Sequence, residues 1–478
     1  MAKQLSAASL LAVMTASASE QVTAKSFIDD EASVNILSPS DLGTNLPGGS
    51  MGVSAPVAPQ RVIPKNIDLT RAIQLAVEWH SAISEAIGQL YQQNENVNIA
   101  RSGYYPQVSG GFNSGWDSGL SGNGQSRTFS VSASQMLYDF GKVSSSVDSA
   151  LARVNGSQAA VLLSIDQVTR DTSFAMIELQ RSQLLVALAG EQIDGISAIA
   201  ELAKKRSDMG ASTRSDLIQA RSRVEASVAT QLQLQAQFNR WRSTLSSLLG
   251  AQSPVSVSPG FPANLEQSCQ GVVPDEAVTP ALLIAQAQRV DALALIAQAR
   301  AEALPTVSLD PSVTHYLDDN DDSNIPGGRD RTRYGVFLNV KMPLYQGGAI
   351  TARKSAAEQA LRSAEAANDA ARLEVRQSLL EARDQISSLT QRLSTLDFRE
   401  RSISETRDLY RQQYLELGTR PLLDLLNAEQ EIHQARMDRE NTAADLRRLK
   451  IDCLYNTGGL RTAFHLDNST LQGVEIRP

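Results

Sequence analysis

This 478-residue chain is poor in several residue types that point to particular classes of function. Only two cysteines occur, and aromatic residues make up 5% of the sequence. Lysine and arginine (44) are outnumbered by aspartate and glutamate (52), which leaves a formal net charge of -8. Because nucleic-acid binding relies on basic surfaces, often interleaved with aromatic residues, we expect no nucleic-acid partner.

Long apolar runs are also missing. Beyond the first residues we find no stretch of about 18 apolar residues, so the sequence predicts no transmembrane helix. An exported protein without such a helix is either soluble or crosses a membrane as a β-barrel.

Catalytic and metal-binding patterns give no positive signal. There is no phosphate-binding Gly-Lys-Ser/Thr loop, and an acidic loop at residues 318–328 lacks the glycine and glutamate that an EF-hand requires. The four histidines are scattered, without metal-ligand spacing. We therefore expect no enzyme, no metal and no cofactor.

The amino terminus resembles a secretory signal. Lys3 precedes an apolar stretch that ends at Ala16-Ser17-Ala18, which is typical of a cleavage site. We predict a signal peptide at residues 1–18; a disordered Ala/Ser tail is the alternative. No cysteine follows the cleavage site, so a lipidated amino terminus is not expected. Residues 19–62 are rich in proline and polar residues, which indicates an extended amino-terminal arm.

Two pairs of segments alternate between apolar and small polar residues. The pattern predicts one β-hairpin over residues 104–138 and another over residues 304–345. Strands of about 10 residues with this alternation suit a membrane β-barrel, with lipid outside and water inside. An amphipathic sheet on a soluble core is the other interpretation of the alternation.

Each hairpin is followed by a long helical segment with a seven-residue apolar repeat. In the first helical segment the repeating positions are Val147, Val154, Val161, Val168, Ala175, Ser182, Ala189, Ile196 and Ala203. In the second helical segment they are Leu361, Asn368, Val375, Ala382, Leu389, Leu396, Ile403, Tyr410 and Leu417. Such repeats predict coiled-coil packing along helices about 100 Å long.

Each long helix ends in a similar turn. Gly210 is followed six positions later by Asp216, and Gly418 is followed six positions later by Asp424. The order helix, hairpin, long helix, turn and return helix therefore occurs twice. We predict a first repeat at residues 63–250, turning at 209–213, and a second at residues 275–457, turning at 418–421. A linker at 251–274 joins them, and a tail at 458–478 follows.

The two cysteines are far apart in the sequence. Cys269 falls in the predicted linker and Cys453 in the last return helix. In an oxidising compartment they could form a disulfide. They could equally be two small apolar residues.

Strand number requires more than one chain if the hairpins lie in a membrane. The smallest membrane barrels have about eight strands, whereas this sequence predicts four. Two copies would supply about eight strands and three copies about twelve.

These residues, in this order, resemble the TolC family of outer-membrane export channels over about residues 64–458. The shared marks are Tyr-Pro-Gln-Val at 105–108, Leu-Pro-Thr-Val at 304–307, Pro-Leu-Tyr-Gln-Gly-Gly at 343–348, and the paired turns. The resemblance implies an α+β membrane protein and a homotrimer. In such a trimer a 12-stranded β-barrel continues into a 12-helix α-barrel.

The resemblance also implies functional residues at the turns. By position, Arg420 matches an arginine that holds the tip closed through residues corresponding to Ser215 and Asp216. Asp424 matches an aspartate that lines the aperture, and Asn427 stands where several members have a second aspartate. The expected adaptor contacts are Gly210, Ala211, Gly418 and Thr419. A closing tyrosine is displaced by one position, since Leu415 occupies its place and Tyr414 precedes it, so a tyrosine latch is not expected.

The function implied is passive conduction across the outer membrane of a Gram-negative bacterium. The expected partners are a periplasmic membrane-fusion adaptor, an inner-membrane ABC transporter (or an RND-type pump), outer-membrane lipid and an exported protein substrate. The non-lipidated amino terminus and the segment at 343–348 favour type I secretion. Multidrug efflux is the alternative, and a pore-less coiled-coil envelope protein is a more remote one.

Overall fold

The computed structural model describes residues 63–64, 66–116, 125–269, 279–317 and 331–476. The predicted signal peptide at 1–18, the arm at 19–62 and the acidic loop at 318–328 lie outside the described residues. So do the connection between the first two strands and residues 270–278 of the predicted linker.

The first half of the chain contains one hairpin and one long helical hairpin. Its elements are β1 (Asn66–Ile67), α1 (Leu69–Val77), α2 (Ser81–Arg101), β2 (Gln107–Trp116), β3 (Gln125–Tyr138), α3 (Lys142–Asp208) and α4 (Arg214–Leu248). The segment after it contains β4 (Ser256–Val257) and α5 (Ala263–Glu266).

The second half has the same order. Its elements are α6 (Pro280–Ala301), β5 (Thr306–Tyr316), β6 (Thr332–Lys341), α7 (Ala349–Gln412), a π-helical segment (Gln413–Leu417) and α8 (Leu422–Thr457). The carboxyl-terminal part contains α9 (Leu460–Ala463), β7 (Thr470–Leu471) and β8 (Val474–Glu475).

The helical segment before the first hairpin is divided into α1 and α2. Asp68 caps α1 by accepting a hydrogen bond from the Arg71 amide at 3.3 Å. His80 has an extended backbone and its Nδ1 accepts from the Ala82 amide at 3.3 Å, so it starts a new helix. A side chain that caps the following helix ends the preceding one, and the apolar spacing gave no sign of this break.

The four longer strands form one antiparallel sheet in the order β2-β3-β5-β6. The two hairpins are joined by β3 and β5, with Val131 opposite Val313. Across the sheet, one face carries exposed apolar side chains such as Val108, Phe112, Val336 and Leu338. Strands alternate their side chains between faces, so most serines and threonines of the same strands, such as Ser130, Ser132 and Ser312, lie on the other face.

Each long helix is preceded by a short turn in which a glycine has a left-handed backbone conformation. Gly141 has φ +94°, and Asp139 accepts from the Gly141 amide at 3.0 Å and the Val143 amide at 2.6 Å. In the second half Gly348 has φ +87° at the start of α7. Glycine tolerates this conformation without a steric penalty, so both long helices leave the sheet by the same kind of turn.

The predicted seven-residue seam of α3 is confirmed. All nine of its positions, from Val147 to Ala203, are buried. They are buried because α3 packs against α1, α2, α4, α6 and α8. This helix is therefore the central support of the chain.

The corresponding seam of α7 is less covered. Its buried positions are Asn368, Val375, Ala382 and Leu396, and its exposed face carries large apolar side chains such as Leu373 and Phe398. Within the chain α7 packs mainly against α6 and α8. A large part of a 64-residue helix therefore remains without a partner in a single chain.

One described helix, α6, is long and apolar enough to cross a membrane by length and composition. The expectation of no such helix was therefore too strict. In the structure α6 packs against α3 and α7, and buried residues include Leu282, Leu283 and Ile296. The apolar side chains of α6 are used in this packing, because α6 covers one side of both α3 and α7.

The predicted linker and tail contain ordered elements that pack onto the helices. β4 pairs in parallel with β1, and a disulfide joins Cys269 to Cys453 with 6.2 Å between the Cα atoms. Lys450 of α8 contacts Glu266 at 2.7 Å. These contacts hold the segment after α4 against the return helix α8.

The carboxyl-terminal residues pack against α1 and the start of α2. Phe464, Leu471 and Ile476 are buried, and Gln472 donates to the carbonyl oxygens of Val77 and His80 at 3.1 and 3.2 Å. Arg461 forms a buried ion pair with Asp166 of α3. Burial raises the pKa of Asp166 to about 7, although the Arg461 guanidinium favours the charged form.

The disulfide is tested by counting thiols. We expect none to react in the unfolded, unreduced protein and two to react after reduction, because both cysteines are held in the bridge. Loss of the bridge in Cys453→Ala should lower the stability by about 2–4 kcal/mol, measured by denaturant unfolding. Two reactive thiols before reduction would contradict the pairing.

The Asp166 carboxyl predicts a pH dependence of stability. Its folded pKa of about 7 exceeds the unfolded value of about 4, so the folded chain binds more protons between these pH values. Stability should therefore fall as the pH rises from about 4 to about 7 and level off at higher pH. We expect Asp166→Asn to flatten this dependence in thermal unfolding measurements. Asp194→Asn, an exposed change on the same helix, should retain it; an equal slope in all three proteins would refute the assignment.

Candidate functional site at the paired helical turns

The first turn, between α3 and α4, is closed by its own hydrogen bonds. Gly210 has φ +73°, and the Ala211 amide donates to the Arg206 carbonyl oxygen at 2.7 Å. A left-handed glycine with this bond is a common way to end a helix. Both Gly210 and Ala211, the predicted adaptor contacts, are exposed.

The start of α4 is capped on both sides. Thr213 accepts from the Asp216 amide, and the Asp216 carboxylate accepts from the Thr213 amide, both at 3.2 Å. Ser215 shares a 2.7 Å hydrogen bond with the Thr213 hydroxyl. This reciprocal arrangement is a capping box, which stabilises a helix start. In a single chain Ser215 and Asp216 therefore serve the first turn itself.

The second turn, between α7 and α8, is built differently. The last five residues before Gly418 (Gln413–Leu417) are π-helical, and Gly418 has φ +62°. Pro421 precedes α8 without a side-chain cap. A π segment accommodates an additional residue in a helix and is frequent at functional sites. Gly418 and Thr419, the other predicted adaptor contacts, are exposed.

Arg420 is bound within the second turn. Its Nη1 donates to Asp424 at 3.1 Å, its Nε donates to Gln413 at 2.9 Å, and its guanidinium lies 4.4 Å from the centre of the Tyr410 ring. The structure thus brings Arg420 and Asp424 together. In the described residues of this single chain, Arg420 makes no hydrogen bond or ion pair with Ser215 or Asp216. Asn427 is exposed on α8.

An apolar cluster fixes the two turns side by side. Its buried residues are Ile196, Ile199, Ala200 and Ala203 of α3, Ala220 of α4, Tyr414 of the π segment, and Leu422, Leu425 and Leu426 of α8. All four helices of the two hairpins therefore converge here, either directly or through the π segment. The predicted gate residues lie at the rim of a common core.

Sequence reasoning missed two residues in this region. Tyr414, set aside as displaced by one position, is only 4% exposed and lies inside the cluster. Arg206 of α3 donates to the Tyr414 carbonyl oxygen at 2.7 Å and lies 4.6 Å from the centre of its ring. The extra residue between Tyr414 and Gly418 was the available signal, since the π segment accommodates it.

The charges near the turns show no arrangement for metal binding. Among the described ranges, no group of three or more histidine, cysteine, aspartate or glutamate residues is placed to hold a metal ion. The two turns expose Gly210, Ala211, Gly418 and Thr419, and the second turn is held by the hydrogen bonds of Arg420. Such exposed positions are available to contact a partner.

Comparison with known proteins agrees with this description. The family model of outer membrane efflux proteins matches residues 72–251 and 276–450, and the chain belongs to this family. Protein CyaE of Bordetella pertussis is 26% identical over 331 residues, which cover 67% of this chain and 69% of CyaE. Outer membrane efflux protein BepC of Brucella suis is 24% identical over 381 residues, which cover 76% and 79% of the two chains.

A solved structure shows the same fold. The outer membrane protein VceC of Vibrio cholerae superimposes with a TM-score of 0.71 at 15% sequence identity, covering 82% of this chain and 96% of VceC. The fold is thus that of TolC-like channels, as the sequence resemblance predicts.

The contacts of Arg420 predict a looser second turn when they are removed. Arg420→Ser abolishes two hydrogen bonds and the contact with Tyr410. A second, open arrangement, in which the second turn has moved away from its present position, should therefore be populated more often. If these contacts together contribute about 1.4 kcal/mol, the ratio of open to closed turns rises about tenfold. Single-channel conductance in planar bilayers measures this change. Arg411→Ser, an exposed change near the end of α7, should leave conductance unaltered; unchanged conductance in both variants would refute the role of Arg420.

Proposed function

We propose that this protein is the outer-membrane channel of a tripartite type I secretion system in a Gram-negative bacterium. It conducts a protein substrate passively from an inner-membrane ABC transporter and a periplasmic membrane-fusion adaptor across the periplasm and outer membrane. The main support for this proposal is that one chain joins a sheet of membrane-length strands to two helical hairpins. The longer helix of each hairpin is about 100 Å long. A duct through a membrane and a periplasm needs both parts.

The apolar face of the sheet supports the membrane position. The four strands contain 10, 14, 11 and 10 residues, and a tilted transmembrane strand needs about 9–11. Val108, Phe112, Val336 and Leu338 are at least 63% exposed in the single chain. Aromatic residues Tyr105 and Tyr138 lie at the helical end of the sheet, where membrane barrels carry an aromatic girdle. In the proposed channel lipid covers the apolar face and water fills the polar side.

The unpaired edges support a homotrimer. In the described sheet β2 and β6 each have a neighbour on one side only. Open sheet edges are not tolerated in a hydrocarbon environment, so β2 of one copy must pair with β6 of another. Three copies give a barrel of about twelve strands, and the same assembly places about twelve helices in the periplasmic tube. The uncovered face of α7 is then packed between copies.

The turns at the far end suit docking of the adaptor. Gly210, Ala211, Gly418 and Thr419 are exposed, and two of them adopt left-handed conformations that a larger residue would strain. In the proposed trimer Arg420 can exchange its contacts within the turn for Ser215 and Asp216 of a neighbouring copy. Asp424 and Asn427 then face the aperture.

Type I secretion and drug efflux differ in cargo, and different observations favour each of them. The Pro-Leu-Tyr-Gln-Gly-Gly segment at 343–348 favours secretion. Membership of the family of outer membrane efflux proteins and the similarity to the outer membrane efflux protein BepC favour efflux as the second candidate. A pore-less envelope coiled coil would not need the exposed apolar sheet.

A deletion strain and the purified protein together test the proposal. Compared with the wild type, the strain should lose one or a few large proteins from its culture supernatant, as measured by mass spectrometry. The purified protein should have the mass of a trimer and should conduct ions in bilayers. An unchanged supernatant with raised dye accumulation would assign efflux instead. A purified protein without conducting oligomers would refute a channel of either kind.

A further inference from the structure

A large apolar side chain, Phe337, lies in the middle of the polar face of the four-stranded sheet. It is 64% exposed and is paired across the strands with Asp310 of β5, so both side chains are on the same face. The next row, farther from the long helices, contains Ser132, Ser312 and Gly335. The interior of a membrane barrel is polar, so an exposed aromatic ring on this face calls for an explanation.

The ring of Phe337 lies over Gly335, two positions earlier on the same strand. A Cβ atom at Gly335 would come within 2.8 Å of the ring atom Cε2, so a larger residue there would displace the ring. One side of the ring is therefore against the strand, and the other is turned away from the sheet. Arg333, on the same strand, stacks on Tyr316 instead, with 5.2 Å between its guanidinium and the ring centre.

Asp310 is held beside the ring by hydrogen bonds to both of its carboxylate oxygens. Its Oδ1 accepts from the Ser134 hydroxyl at 2.6 Å, and its Oδ2 accepts from the Ser308 hydroxyl at 3.0 Å. Hydrogen bonds of this kind hold an ionised carboxylate in a fixed position. The face of an aromatic ring and a carboxylate both attract a positive charge, and here they lie side by side.

Two basic residues lie on the same face but at other levels of the strands. Arg333 is opposite Thr314 and Lys341 is opposite Thr306, each four positions from Asp310 along β5. At about 3.4 Å per residue, each separation is about 14 Å. The Debye length is about 10 Å at 0.1 M salt, so neither basic residue cancels the attraction of Asp310 at its own level.

We infer that Phe337 and Asp310 form a binding site for organic cations on the water-facing wall of the barrel, one site in each copy. A ligand of this class joins a positive group, which Asp310 attracts, to an apolar part that contacts the ring. The inference rests on the proposed channel function and deepens it, because the site defines a class of cargo that the wall retains during passage.

A role of the ring in joining copies predicts different results. In the proposed trimer β6 lies beside β2 of the next copy, whose polar face carries small residues such as Ser109 and Gly111. If Phe337 only packs across this joint, any large apolar side chain replaces it and Asp310 has no influence on a ligand. If the binding site is correct, the aromatic ring and the carboxylate both determine the affinity.

The experiment measures how organic cations reduce the single-channel current of the full-length purified trimer in planar bilayers. The probe is benzyltrimethylammonium in 0.1 M salt, added on the side of the sheet away from the long helices, and benzenesulfonate is its anionic counterpart. We expect the cation to reduce the current of the wild type and the anion to have a much weaker effect. Asp310→Asn and Phe337→Leu should each raise the half-blocking concentration about threefold, whereas Phe337→Tyr should keep it.

A basic peptide distinguishes the two sources of such a cation. A peptide that alternates leucine and lysine represents a segment of an exported polypeptide, and benzyltrimethylammonium represents a small molecule. Stronger block by the peptide assigns the site to protein cargo, and stronger block by the small cation assigns it to small-molecule cargo. In both cases the block must weaken in Asp310→Asn and in Phe337→Leu.

Asp424→Asn tests whether the block arises at the helical turns instead. Block that is lost in Asp424→Asn but retained in Asp310→Asn would overturn the site. Equal half-blocking concentrations in the wild type, Asp310→Asn and Phe337→Leu would also overturn it.

Thermal dissociation of each trimer separates binding from assembly. All variants should dissociate at temperatures close to that of the wild type, because the site lies on the wall of the barrel. Lower stability of Phe337→Leu with an unaltered block would assign the ring to the joint between copies and overturn the site. A conducting channel that neither probe blocks refutes this inference alone. If neither the wild type nor Arg420→Ser conducts, the proposed channel function fails as well.

Discussion

Backbone pairing at the edges of the four-stranded sheet is the constraint on which the rest of this architecture depends. Each edge strand leaves one row of N–H and C=O groups unpaired in the single chain, and a hydrocarbon environment offers such groups no partner. In the proposed channel only further copies of the chain complete the pairing. The long helices leave the sheet at Gly141 and Gly348. Once strands are shared among copies in the proposed channel, these helices must also run side by side. The pairing of strands between copies therefore also determines how the long helices are arranged.

The duplicated halves meet this constraint in different ways. α3 is covered by α1, α2, α4, α6, α8 and α9 and forms the buried support of the chain, whereas α7 leaves apolar side chains such as Leu373 and Phe398 exposed. Ion pairs contribute more on the α7 side, where Arg436 contacts Glu400 at 3.0 Å and Arg439 contacts Asp397 at 2.7 Å. Pairs at such partly exposed positions contribute little each, so the apolar contacts of α7 carry most of the packing on this side.

The turns illustrate how far the resemblance carries. By position it identified Arg420 and Asp424, and the structure brings these two together. It set Tyr414 aside, because a fixed spacing from the glycine assumes an α-helix throughout. The π segment changes that spacing and lets Tyr414 enter the core between the hairpins. Arg206 had no distinguishing feature in the sequence, since cations are common in the last turn of any helix.

The sequence by itself determined the features that depend on neighbouring residues. Strand alternation, the seven-residue seam of α3 and the glycine turns are local, because the side-chain period of a helix or strand is set within a few residues. Only the tertiary structure decided which distant segments meet. It joined β3 to β5, folded the carboxyl-terminal residues onto α3 through Arg461 and Asp166, and placed Arg206 on Tyr414. Those choices depend on burial and charge shared between residues more than 150 positions apart, which no local pattern encodes.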